Sequence, residues 1–94
     1  MIIVSGRIYV SPSSRDEFVK RSLEAVVIAR RAPGCLDFVV AADPLEPDRV
    51  NVYEQWQSES ELETFRGAGP GDDLSSMIVS AEVSRHHIDR SGPA

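Results

Sequence analysis

Cysteine occurs once in this chain, at Cys35, and histidine only twice, at His86 and His87. A single thiol excludes an intrachain disulfide and a thiolate-built metal site, and fits a cytoplasmic protein. Two adjacent histidines on a strand point to opposite faces and do not chelate one ion, so no metal is expected. No apolar run approaches the ~20 residues that span a bilayer. Met1-Ile2-Ile3-Val4 meets Ser5 and Arg7 before a signal-peptide core could form. Basic charge is also scarce: 15 acids against 10 bases give a net charge of −5, which argues against nucleic acid as the main partner. What is present, 41% hydrophobic and 27% charged residues in a chain of 94, is ordinary composition for one folded domain. That domain is expected over residues 1–90, with 91–94 as a tail.

The chain alternates strand and helix signals. Residues 2–10 (IIVSGRIYV) are rich in β-branched side chains and predict a strand, with Gly6 marking a bulge or the close approach of another group. Ser14 and Glu17 have the spacing of a capping box before a helix over 15–31. Its inward arc takes Phe18, Val19, Ser22, Leu23, Ala25, Val26 and Ala29, and Ile28 falls on the polar side. Pro33-Gly34 ends that helix. Residues 35–42 (CLDFVVAA) predict a second strand, and 49–57 (RVNVYEQWQ) a third. In the third, Val50, Val52, Glu54 and Trp56 share one face, with Asn51, Tyr53 and Gln55 on the other. Ser58 and Glu61 form a second capping-box pair before a short helix through Arg66 carrying Leu62 and Phe65 inward. Gly67-Ala68-Gly69-Pro70-Gly71 breaks it; this stretch lacks the lysine and spacing of a phosphate loop. Leu74, Met77, Ile78 and Ala81 have helical spacing, and a last strand is expected from about 81 to 89.

Strand–helix–strand, twice over, predicts an α+β ferredoxin-like βαββαβ domain: a four-stranded antiparallel sheet with both helices on one face. The first two strands carry large apolar residues in both parities, Ile3 and Tyr9 among them, so the second face needs a cover. The simplest cover is the sheet of a second copy in a two-fold homodimer.

Three segments carry a family likeness: Val52-Tyr53-Glu54-Gln55-Trp56-Gln57-Ser58, the following Leu62, and Pro33-Gly34-Cys35 before the second strand. Together they resemble the antibiotic biosynthesis monooxygenase (ABM) family over roughly Met1 to Ile88. The resemblance implies a dimeric α+β barrel of two ferredoxin-like chains. It implies a monooxygenase that works without a cofactor on a small phenolic or quinol compound; the alternative is a non-catalytic module that binds a small hydrophobic ligand or dimerises. Many relatives carry histidines just after the second helix, where this chain has none before Val79.

Such chemistry needs an apolar cavity, a base and a group that positions the substrate. The catalytic candidates are His86, Trp56 and Glu54: histidine as base, tryptophan as aromatic surface, and the carboxylate as base or as partner of Arg7 or Arg85. The ligand-binding candidates are Phe18, Tyr53, Phe65, Arg7 and Arg85, the two arginines to stabilise an anion. The expected cavity lies between sheet and helices, lined by Trp56, Phe65, Phe18 and His86.

Overall fold

β-Branched residues alternating along Ile2–Val10 make the strand β1, which pairs on both sides and forms the middle of the sheet. The computed structural model describes all 94 residues of the chain. After β1 come a 3₁₀ turn at Pro12–Ser14, α1 (Arg15–Arg31), β2 (Cys35–Ala42), β3 (Arg49–Trp56), α2 (Glu59–Gly67), a second 3₁₀ turn at Ser75–Met77 and β4 (Ile78–His87). The antiparallel sheet has the order β2-β3-β1-β4, which is the ferredoxin-like arrangement.

Both helices lie on the face that carries Ile2, Val4, Ile8 and Val10 of β1 and Val50, Glu54 and Trp56 of β3. At one end of this layer Ile2, Val4, Phe38 and Trp56 pack with Val26 and Ala29 of α1 and Leu62 and Phe65 of α2. At the other end Val10, Val50 and Phe18 form a second cluster, joined by Leu74 and Met77 from the connection after α2. Each such fully buried side chain contributes about 1.5–3 kcal/mol. β1 and β4 approach closely at Gly6: with φ at +154°, a Cβ there would run into the backbone carbonyl of Glu82. The glycine therefore serves backbone approach, and the one irregularity of that ladder lies at Tyr9/Val10.

The helix ends differ from one another. Ser58 accepts from the Glu61 amide at 3.3 Å, while the Glu61 carboxylate accepts from the Ser58 hydroxyl at 3.0 Å and not from its backbone amide, so the N-cap half of the second capping box forms. The first does not. Ser14 belongs to the 3₁₀ turn that runs straight into α1, adopts helical angles, and makes no side-chain cap bond. The long helix keeps its complementary termini, with Asp16 and Glu17 in the first turn and Arg30 and Arg31 in the last. Two further expectations are corrected. β4 begins at Ile78, earlier than the expected 81, because Ile78 pairs with Val10 past the register shift and only Ser75–Met77 coil helically. Leu23 is 53% exposed, since the buried stripe of α1 is narrower: Phe18, Ser22, Val26 and Ala29.

The opposite face of the sheet has no helix on it. Its rows run Asp37–Gln55–Ile3–His86, Val39–Tyr53–Ser5–Ser84 and Ala41–Asn51–Arg7–Glu82. Ile3, Tyr9, Val39 and Tyr53 are half-buried there, among polar neighbours, so this face is less apolar than the strand parities suggest.

Candidate functional site

The fold places Phe38, Glu54, Val4 and Arg85 in one row across the helix-covered face. Glu54 is 7% exposed. A buried carboxylate needs partners, and two are present. The Trp56 indole N–H donates to Glu54 Oε1 at 2.9 Å, and the Arg66 guanidinium stands 3.9 Å from Oε2. The pair expected with Arg7 or Arg85 does not form, because both arginines are engaged elsewhere. Arg85 bridges from β4 to Glu59 and Glu63 of α2 at 2.6 and 2.7 Å, which holds the Glu59 carboxyl below its usual range. Arg7 lies on the uncovered face, 2.6 Å from Glu82.

Trp56 is fully buried, and its ring lies 5.2 Å from that of Phe65, which in turn meets Phe38 edge-on at 5.7 Å. Phe65 thus joins two layers. Its inner side closes the core over Trp56 and Glu54, and its outer side opens on a groove of about 590 Å³ between the helices. The end of α1 and the two residues after it supply one wall with Ile28, Arg31, Ala32 and Pro33. α2 and its C-cap residue Ala68 supply the other with Glu61, Thr64, Phe65 and Ala68, an i, i+3, i+4, i+7 stripe. The groove exists because Pro33-Gly34 turns the chain sharply at the end of α1. Gly34 has φ +82°, the Glu61 carboxylate lies where its Cβ would be, and its carbonyl accepts from the Gln57 amide at 2.8 Å. That turn carries the chain into β2 and fixes the start of α2 beside the end of α1.

A smaller hollow of about 280 Å³ borders Arg30, Cys35, Leu36 and Asp37. Burial pushes the Cys35 thiol up from its ordinary value, and the nearby Glu54 carboxylate adds to this. The thiol is therefore kept in its unreactive protonated form. No three residues among His, Cys, Asp and Glu gather in a metal-binding arrangement.

Of the expected site residues, the structure brings together Trp56, Glu54 and Phe65. His86 is not among them: it faces away from the helices, opposite Ile3, on the other side of the sheet from Trp56. His87 has the helix-side parity but lies at the rim, 3.9 Å from Glu59. Phe18 is buried in the second cluster, at the far end of the core. Tyr53 is on the uncovered face, where its hydroxyl donates to Gln55 Oε1 at 3.3 Å. Sequence reasoning missed most of the groove. Its one available signal was Ile28, an apolar side chain on the otherwise polar arc of α1, close to Pro33-Gly34.

A family model described as antibiotic biosynthesis monooxygenase matches residues 1–70. An uncharacterised protein of Synechocystis is 29% identical over 62 residues, which is 66% of this chain and 42% of that protein. The match therefore spans less than half of that relative's length. A solved structure from Deinococcus radiodurans, itself provisionally assigned as an antibiotic biosynthesis monooxygenase, superposes with a TM-score of 0.81 at 15% identity and covers 100% of this chain and 98% of its own. A haem degrader from Mycobacterium tuberculosis, solved with two haems in its active site, superposes with a TM-score of 0.70 at 16% identity over 99% of this chain and 100% of that one. At these identities the two superpositions establish a shared fold.

Proposed function

This chain belongs to the antibiotic biosynthesis monooxygenase family, and on that premise we propose that it oxygenates a small apolar compound held in the groove between α1 and α2. A phenol or quinol fits this reading, because its deprotonated form can itself donate an electron to oxygen without a cofactor. The groove itself carries the proposal: about 590 Å³ of mostly apolar surface is of the size that takes an aromatic ligand, and Phe65 offers it a ring. Trp56 and Glu54 act behind Phe65 as positioning residues, since the indole supports the ring and the carboxylate holds the indole.

A second reading, ligand binding without turnover, is favoured by one observation. The groove's single carboxylate, Glu61, already accepts from Ser58 and no histidine lines the groove, so a free general base is lacking there. Oxygen uptake and product analysis with a panel of quinols separate the two, using wild type and Ala68→Trp, which fills the groove from an exposed position. Uptake that is lost in the variant supports the oxygenase. Binding without uptake supports the second reading, and neither binding nor uptake with any compound contradicts both.

The uncovered sheet face is the proposed contact of a two-fold homodimer, with Ile3, Tyr9, Val39 and Tyr53 at its centre. Sedimentation of wild type against Tyr53→Arg tests this: a dimer that becomes a folded monomer supports it, and a monomeric wild type at ~100 µM contradicts it.

A further inference from the structure

The groove between the helices holds one side chain whose hydrogen-bonding capacity nothing in the chain uses. Among the basic residues, Arg7, Arg21, Arg49, Arg66 and Arg85 each have a carboxylate partner from another part of the chain. Arg15 and Arg30 donate to backbone carbonyls. Lys20, Arg31 and Arg90 have no partner, and of these only Arg31 lines the groove. The α1 dipole favours a cation at this position, but it leaves the Arg31 guanidinium without a side-chain partner beside apolar surface. The other polar groups of the groove are committed. Glu61 Oε1 accepts from Ser58 Oγ while its carboxylate covers Gly34, and the Thr64 hydroxyl donates to the Ser60 carbonyl at 2.9 Å. Arg30, the other base of the last turn of α1, is held on the Phe38 carbonyl at 2.9 Å.

We infer that the groove takes an amphipathic monoanion: an apolar body against Ile28, Ala32 and Phe65, and one carboxylate, sulfonate or phenolate oxygen group on the Arg31 guanidinium. This rests on the groove being the ligand site, as proposed above. The planar guanidinium presents paired donors that match such a group. The net charge of −5 is screened beyond ~8 Å at physiological salt, so the nearby Arg31 guanidinium outweighs it for an anion in the groove. Glu61 on the facing wall disfavours a second negative group, which limits the ligand to one charge.

Two naphthalene dyes of nearly the same shape test this: 8-anilinonaphthalene-1-sulfonate, an anion, and N-phenyl-1-naphthylamine, which lacks the sulfonate. Fluorescence titrations are run on wild type, Arg31→Gln, Arg31→Lys and Ala68→Trp; positions 31 and 68 are both exposed, so the fold is kept. The expected result is one site for each dye, with both weakened in Ala68→Trp. Arg31→Gln should raise the Kd of the sulfonate about tenfold while the uncharged dye stays within about twofold, and Arg31→Lys should recover most of the loss. If Ala68→Trp weakens both dyes but Arg31→Gln leaves the sulfonate unchanged, the groove stands and the anion inference falls. If neither dye binds wild type, or Ala68→Trp changes neither, the groove reading falls and this inference with it.

Discussion

On the face that the helices cover, Ile2, Val4, Val50 and Trp56 are almost completely buried, and the one carboxylate among them, Glu54, is held by an indole N–H and a guanidinium. On the other face Ile3, Tyr9, Val39 and Tyr53 stay half exposed and alternate with Arg7, Glu82, Asn51 and Gln55. Every strand contributes to both, so the difference comes from parity and from what lies above. Where water is excluded, a polar group persists only if its partners are built in. Where water remains, ion pairs can sit between apolar side chains.

The comparison breaks most sharply at its two largest aromatic residues. Trp56→Ala should cost about 3–5 kcal/mol in chemical denaturation, since it empties a fully buried site. Tyr53→Ala should cost no more than about 1 kcal/mol at concentrations low enough to keep the chain monomeric. Equal losses would mean that the uncovered face is as much a core as the covered one. The ion pairs give the next test. Glu54→Leu leaves the Trp56 N–H buried without an acceptor and should destabilise by about 1–3 kcal/mol. Arg7→Leu removes a pair between exposed side chains and should change stability by less than about 1 kcal/mol.

The smallest effect concerns pH. Asp43 accepts from the Glu46 amide at 2.8 Å, the Asn51 side chain at 2.9 Å and the Leu45 amide at 3.0 Å, and these bonds lower its pKa to about 2 from the ordinary 3.8. Because the folded value is depressed, this contribution is fully present above about pH 3.8 and fades as pH falls toward 2. Amide signals of Leu45 and Glu46 should shift over that window, and amides that stay still there would contradict the bonds to Asp43.

Much of the fold was legible because strand alternation and helix periodicity act within a few residues. The boundaries of β1, α1 and β2 follow from IIVSGRIYV, from the Phe18, Ser22, Val26 and Ala29 stripe, and from CLDFVVAA. Ser14 misled because a Ser and a Glu three apart mark a cap only if the chain enters from an extended conformation, and Pro12 starts a 3₁₀ turn instead. The last strand was readable as a strand, and on it Ser84 and His86 alternate with Val83, Arg85 and His87. Which set faces the helices was not, because that depends on the pairing of Ile3 with His86 across two strands distant in sequence. The groove was hidden for the same reason: Ile28 stands out on a polar arc, but nothing local joins it to Ala68 until the Pro33-Gly34 turn sets α2 beside α1.

Ligand is proposed to enter between the two helices and not on the open sheet. Backbone amide shifts of ¹⁵N-labelled protein titrated with N-phenyl-1-naphthylamine test it most directly. Saturable shifts should concentrate at Ile28, Ala32, Thr64, Phe65 and Ala68, with Ser5 and Tyr53 undisturbed. Shifts centred on Ser5, Asn51 and Tyr53, or none at all, would contradict it.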